Sequence, residues 1–175
     1  GLSQKGFALD LSEYETYEGI MPDRNNGVNA WITVMRGCDN FCSFCVVPYT
    51  RGRERSRDPE SILLEARDAS IRGFKQITLL GQNVNSYCHE GWDFAKLIAA
   101  LADTPGIDRV RFTSPHPKDF PLALIDAIAT HPKICKHIHL PLQAGSDRIL
   151  ELMGRTYTGA EYLALVDRIR NRIPD

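Results

Sequence analysis

The sequence has no long hydrophobic run. Nothing in its 175 residues approaches the ~18 consecutive apolar residues of a membrane-crossing helix, so no membrane partner is expected. It has no basic leader followed by an apolar segment, so no secretion signal is read at its start. It has no surplus of positive charge: 21 Lys and Arg stand against 22 Asp and Glu, for a net charge of −1. A protein held to nucleic acid mainly by phosphate contacts is usually more basic. It has no second cysteine or histidine pair at zinc-knuckle spacing, because Cys88 and His89 are adjacent. Its cysteines number five, which is odd, and a chain of this length buries about 70% of its unfolded surface without disulfide staples. Free thiols without a secretion signal point to the cytoplasm. Hydrophobic residues make up 43% and charged residues 25%, as expected for one soluble globular domain. The chain starts at Gly1 rather than Met and stops at Pro174-Asp175, and so reads as a piece of a longer protein.

What is present is concentrated in one run, Arg36-Gly37-Cys38-Asp39-Asn40-Phe41-Cys42-Ser43-Phe44-Cys45. Its spacing is C-x3-C-x2-C. Three thiolates on one loop can hold three irons of a cubane cluster that normally takes four cysteines. The fourth iron is then left without a protein ligand, and an open position is what a metal centre needs for chemistry. Structural zinc and disulfides are the competing readings; the first lacks a fourth ligand and the second an even number of cysteines.

The rest of the chain alternates. Residues 1–28 read as a lead-in or linker, with an acidic and aromatic stretch at 10–18 and a turn cluster at 22–27. Residues 30–35 are short and rich in strand formers, and lead into the cysteine loop. Asp58 and Pro59 open a helix that carries Ile62, Leu63, Ala66 and Ala69 on one face and stops at Gly73. Residues 76–80 read as a buried parallel strand ending in Gly81-Gln82-Asn83. A helix with Phe94, Leu97, Ile98 and Leu101 follows, then a strand at 110–113 ending in Ser114-Pro115-His116-Pro117. Leu122, Ile125, Ile128 and Ala129 mark the next helix, and 137–140 a fourth strand. Ser146 is expected to cap a short helix closed by Gly154, and Thr158 with Glu161 forms a capping box before a last helix. The fold class is α/β: a partial (β/α) barrel of parallel strands with outer helices, over 29–175. In such folds ligands bind at the C-terminal strand ends, which is where each polar motif falls.

These motifs together resemble the radical S-adenosylmethionine enzymes, through the three cysteines after a first strand with Phe44 before the third. Within them, the run from Met35 through Val46-Val47-Pro48-Tyr49-Thr50-Arg51-Gly52-Arg53-Glu54-Arg55-Ser56-Arg57 is similar to the methylthiotransferases, as are the blocks at 79–87 and 139–146. The Val-Val-Pro-Tyr-Thr segment is most like the branch that acts on isopentenyladenosine beside the tRNA anticodon. The resemblance implies a [4Fe–4S] cluster on Cys38, Cys42 and Cys45, with S-adenosylmethionine chelating the open iron. It implies reductive cleavage to a 5′-deoxyadenosyl radical and sulfur from a second [4Fe–4S] cluster. It implies an electron donor, the tRNA anticodon loop as partner, and a monomer. The family's N-terminal auxiliary-cluster domain and C-terminal RNA-binding TRAM domain are absent from this chain, and the barrel is incomplete, so the chain alone is not expected to finish the reaction. A ribosomal-protein aspartate methylthiotransferase, or a non-catalytic metal-binding module that recognises RNA, are the alternatives.

On the same resemblance Phe44, Gly81, Gln82, Asn83, Ser114, His139, Gln143 and Arg155 are cofactor-contact candidates. Gly81, Gln82 and Asn83 stand where the superfamily meets the methionyl amino group, although a polar loop cap would look alike. Gln143 and Arg155 are candidates for the ribose and carboxylate; Arg155 could equally be a helix-end charge. His137 and His139 share one strand face and either line the barrel or are core histidines, His137 more the latter. His116 between prolines reads as a rigid loop residue, and His131 as a surface residue at a helix end. Arg51, Arg53, Arg55 and Arg57 read as RNA-phosphate candidates, or as a charge run that holds the loop through Glu54, Glu60 or Glu65.

Overall fold

The computed structural model describes residues 22–24 and 27–174. The stretch at 10–18 and Asn25-Asn26 of the turn cluster lie outside the described residues. In chain order the elements are β1 (Asn29–Thr33), β2 (Met35–Arg36), α1 (Val47–Arg51), β3 (Arg55–Ser56), α2 (Pro59–Ile71) and β4 (Gln76–Leu80). A 3₁₀ turn (Val84–Ser86) precedes β5 (Cys88–His89), β6 (Trp92–Asp93), α3 (Phe94–Ala102) and β7 (Arg109–Phe112). A second 3₁₀ turn (Pro117–Asp119), α4 (Leu122–Thr130), α5 (Asp147–Leu152) and α6 (Gly159–Arg172) complete the described chain.

The helix starts follow from their caps. The Asp58 carboxylate accepts the Ser61 N–H at 2.8 Å, with Pro59 in the first turn. Asp93 accepts the Lys96 N–H at 2.8 Å at the head of α3. The Thr158–Glu161 capping box closes in both directions at α6. Each such cap satisfies amide donors that the first helical turn cannot pair, typically for about 1 kcal/mol. Ser146 stands at the N-cap of α5, but its side chain makes no cap bond, contrary to expectation.

Three parallel strands form the sheet in the order β1-β4-β7. The register puts Ala30, Ile77 and Val110 in one row and Ile32, Leu79 and Phe112 in the next. Apart from Ala30, which packs with Ala69 and Phe74 in a small second cluster, this face is buried in the main core with Ile62, Ala66, Leu97, Ile98, Leu124 and Ile125, side chains of α2, α3 and α4. Fully burying one such side chain contributes about 1.5–3 kcal/mol. Trp31, Thr78 and Arg111 occupy the other face; Trp31 is 56% exposed and Arg111 is exposed, while Thr78 of the central strand is buried and donates to Asn29 Oδ1 at 2.9 Å. One face under helices and the other carrying Trp31 and Arg111 is the arrangement of a barrel segment, with helices outside and a concave interior.

The expected fourth strand is corrected. Among the described residues 137–140 joins no ladder; one parallel bridge links Val110 to Ile134. Continuing that register would put Ile138 opposite Ser114. Ser114 sits at φ 59°, so β7 has already turned away and offers no partner. The alternation survives without the ladder: Ile138 and Leu140 pack against the core, while His137 and His139 are exposed. Neither histidine is a core residue, which corrects the reading of His137. Two short pairs were not foreseen, β2 with β3 and β5 with β6, both antiparallel.

Candidate metal centre

The cysteine loop leaves the sheet at the C-terminal end of β1 and is pinned by its neighbours. Gly37 has φ 82°, and its N–H donates to Gln82 Oε1 at 2.6 Å. A Cβ at Gly37 would lie 2.0 Å from the Arg53 carbonyl oxygen, so no other residue fits this first bend. The Cys38 N–H donates to the Gly52 carbonyl at 3.2 Å. Further along, the Ser43 N–H donates to Met153 O at 2.9 Å and its hydroxyl to Leu152 O at 2.8 Å, which ties the loop to the end of α5. Phe41 is held at φ 46°, a left-handed conformation uncommon for a bulky side chain.

Cys38 and Cys42 are each 8% exposed and Cys45 is half-buried; all are free thiols. Two side chains donate to sulfur. Asn40 Nδ2 lies 3.4 Å from Cys38 Sγ, and an Arg155 guanidinium N–H 3.2 Å from Cys42 Sγ. Burial pushes the Cys38 thiol up, opposed by hydrogen bonds from Asn40 and reinforced by the Glu54 charge. Among the described residues no three His, Cys, Asp or Glu side chains converge on one point as a single metal ion needs. Three thiols that each take a different iron of a cubane do not need to converge. The donor set of three free sulfurs with N–H groups aimed at two of them therefore fits an iron–sulfur cluster.

Around the loop lies a polar support. Glu54 accepts the Asp39 N–H at 3.2 Å, Asn83 Nδ2 at 3.2 Å and the Ser86 hydroxyl at 2.7 Å. Asn83 is 1% exposed; its Nδ2 also donates to Asp119 at 2.8 Å, while its Oδ1 is buried with no partner among the described residues. Asn85 accepts the His116 N–H at 2.7 Å and donates to the His116 carbonyl at 2.9 Å, fixing the loop after β7. His116 is buried, and its Nδ1 accepts the Lys118 N–H at 3.2 Å, so the proton of the neutral ring sits on Nε2. Its pKa is lowered to about 3, by burial first and then by the charges of Arg155 and Lys118.

The sequence candidates separate. Gln82, Asn83 and Arg155 are joined to the cysteine loop or its support by hydrogen bonds. Gly81 packs under Met35, whose Cγ would stand 2.6 Å from a Cβ there. Phe44 is 55% exposed on the loop itself. Ser114 contributes its carbonyl to the Val84 N–H at 3.3 Å. His139 and Gln143 are exposed and make no hydrogen bond to the loop among the described residues. Cys88 is exposed on β5 and Cys135 half-buried beside the Val110 bridge, both apart from the three loop thiols.

The arginines separate too. Arg57 is 3% exposed and pairs with Glu65 at 2.5 Å, so it offers no surface to a phosphate and is corrected to a structural residue. Arg53 is exposed, pairs with Asp39 at 2.8 Å and lies over the Phe41 ring. Arg55 reaches back to the Arg51 carbonyl at 3.0 Å, and Arg51 is exposed. A cavity of about 350 Å³ opens beside the loop on the uncovered sheet face, lined among others by Trp31, Met35, Arg36, Arg51 and Gln82. Asn40, Asp119 and Tyr157 have no place in the sequence reading, whereas Glu54 was expected to hold the loop and does so through Asp39, Asn83 and Ser86. Asn40 carried a signal, since an amide inside a cysteine loop is a donor to sulfur; Asp119 and Tyr157 are brought in by the fold.

A loop of three free thiols at the C-terminal end of a parallel α/β sheet defines the class. Residues 32–175 match the Radical SAM superfamily, and the chain belongs to it. It is 54% identical over 161 residues to the tRNA-2-methylthio-N(6)-dimethylallyladenosine synthase of Acetivibrio thermocellus, covering 90% of this chain and 34% of that protein. It is 51% identical over 178 residues to the protein of the same name from Porphyromonas gingivalis, covering 98% and 38%. The chain thus spans under two-fifths of the length of these relatives. Among solved structures it resembles the radical S-adenosylmethionine methyltransferase TsrM from Kitasatospora setae, with a TM-score of 0.64 at 21% identity over 84% of this chain and 29% of that one. That likeness concerns the fold, which is the partial α/β barrel expected from the strand–helix alternation. No helix among the described residues is long and apolar enough to cross a membrane.

Proposed function

We propose that this chain is the radical-generating core of a tRNA methylthiotransferase that adds a methylthio group to the dimethylallyl (isopentenyl) adenosine beside the anticodon. The observation that carries the reading is the loop of three free thiols, Cys38, Cys42 and Cys45, with hydrogen-bond donors on two of the sulfurs, in a chain about half identical to proteins named for that reaction.

When bound, a [4Fe–4S] cluster together with S-adenosylmethionine would supply one-electron cleavage of the sulfonium. This chain's own residues supply position. The three cysteines would hold the irons, and Gln82 and the Gly52 carbonyl set the first bend of the loop. Asn40 and Arg155 place N–H groups at sulfur. The buried Asn83 brings an orphaned carbonyl to this end of the sheet, an acceptor suited to an ammonium group such as that of the methionyl moiety. Arg51 and Arg53 present cations beside the loop, where an RNA phosphate would approach. The domain is taken as residues 29–175, with the auxiliary cluster and the RNA-binding module in other parts of the whole protein. The reading also entails a cytoplasmic monomer served by an electron donor.

The test is anaerobic reconstitution of the full-length protein with reductant, S-adenosylmethionine and tRNA bearing the dimethylallyl group. Formation of 5′-deoxyadenosine with methylthiolated tRNA is the expected result. A reconstituted enzyme that forms 5′-deoxyadenosine but leaves this tRNA unchanged would reject the substrate while keeping the chemistry.

A further inference from the structure

Arg155 stands out because its charge lacks a carboxylate partner. Among the described residues it makes no ion pair. Its donors go instead to Cys42 Sγ at 3.2 Å and to Tyr157 Oη at 3.2 Å. The guanidinium lies over the Tyr157 ring, 5.2 Å from its centroid. Tyr157 is itself fixed: it is 8% exposed, its hydroxyl donates to Leu142 O at 2.9 Å, and His116 meets its ring edge-on at 5.7 Å. A helix-end charge on the surface would need none of this.

We propose that Arg155 is a positioning residue that tunes the cluster: its N–H to Cys42 sulfur and its fixed positive charge beside that sulfur raise the reduction potential, and Tyr157 holds it in place. This rests on the iron–sulfur reading above. The physics follows from charge. Each thiolate brings a negative charge, and reduction adds one more at a half-buried site. A fixed cation and a hydrogen bond to sulfur stabilise the reduced form more than the oxidised one, which moves the potential up. The guanidinium cannot lose its proton, so the effect does not fade with pH. The buried His116 beside Tyr157 stays neutral near pH 7, so Arg155 is the fixed cation of this stack.

The experiment is an EPR-monitored redox titration of the anaerobically reconstituted full-length protein. The signal of this cluster is recognised by its change on adding S-adenosylmethionine and its loss in Cys42→Ala. Arg155→Met should keep the iron content of the wild type and shift the midpoint to a more negative potential. Tyr157→Phe, which keeps the ring but loses the hydroxyl's bonds to Arg155 and Leu142, should shift it in the same direction by less. If Arg155→Met fails to hold iron, Tyr157→Phe decides: a negative shift supports the proposal and an unchanged midpoint overturns it. An unchanged midpoint in an iron-replete Arg155→Met also overturns it and leaves the arginine a packing residue. Wild-type protein that takes up no iron would instead defeat the iron–sulfur reading itself, so the two failures are distinct.

Discussion

Arg57 and Glu65 meet at 2.5 Å inside the protein, and the same guanidinium donates to the Thr33 carbonyl at 3.1 Å. The other Glu65 oxygen takes Arg24, which also donates to the Trp31 carbonyl at 2.9 Å. Val34 N–H points at Leu80 in the neighbouring strand, so the carbonyl of the same peptide, that of Thr33, points off the sheet edge. The Arg24–Glu65–Arg57 trio therefore satisfies the outward carbonyls of Trp31 and Thr33 on β1, an edge strand of the described sheet, and covers backbone that would otherwise be open to pairing with another chain.

Breaking this trio at its centre leaves two buried guanidinium groups without a carboxylate. Glu65→Ala is expected to cost about 3–5 kcal/mol. Arg57→Ala should cost less, because Arg24 still neutralises Glu65. Urea unfolding of the two variants checks the order; equal losses would mean that the trio does not act as a unit.

Cys38→Ala, Cys42→Ala and Cys45→Ala should each abolish a reconstituted cluster of about four irons. Cys88→Ala and Cys135→Ala should leave it intact, since both lie apart from the three loop thiols. Iron and sulfide counting after anaerobic reconstitution gives the result. Loss of iron in Cys88→Ala would remove the open coordination position on which the proposed chemistry depends.

His116 links the site to acid stability. Its folded pKa is lowered to about 3 by burial, while in the unfolded chain it titrates near the ordinary 6.5. Between these values the unfolded chain binds a proton that the folded one refuses. Stability therefore falls as pH drops from about 7 toward 3, by about 2 kcal/mol at pH 5 from this group alone. His116→Asn removes the titration and can still accept the Lys118 N–H. The wild type should lose about that much more stability than the variant between pH 7 and pH 5 in denaturant melts. Parallel losses would show that the ring is protonated in the fold.

Much of this was legible in the sequence because it depends on neighbours in the chain. The caps at Asp58 and Thr158, the stop at Gly73 and the parity of β1, β4 and β7 are local, and they came through. The cysteine loop was legible because its three closely spaced thiols fall on one short segment. What was not legible depends on distant packing. The strand expected at 137–140 has the right alternation, but its partner turns away at Ser114. Arg57 looks like its neighbours in the arginine run until α2 brings Glu65 beneath it. Arg155 was picked out, yet its contact with Cys42 spans 113 residues and no local pattern announces it.

The remaining arginines carry the RNA prediction. Arg51 and Arg53 are exposed, and the Arg53–Asp39 pair at 2.8 Å is a surface contact of the kind worth about 0–1 kcal/mol. An RNA phosphate can therefore compete for Arg53 at little cost. Arg55 is half-buried and already donates to the Arg51 carbonyl, so it is less available. In the full-length protein, Arg51→Ala and Arg53→Ala should each lower the slope of log affinity for tRNA against log salt by roughly 0.7–0.9. Arg57→Ala should lower stability and leave the slope of the folded protein unchanged, because its guanidinium is 3% exposed and faces Glu65. Filter binding across a salt series, with the folded fraction measured in parallel, separates the two effects. Wild-type slopes for both Arg51→Ala and Arg53→Ala would take this segment out of the RNA-binding surface and leave it as the frame of the cysteine loop.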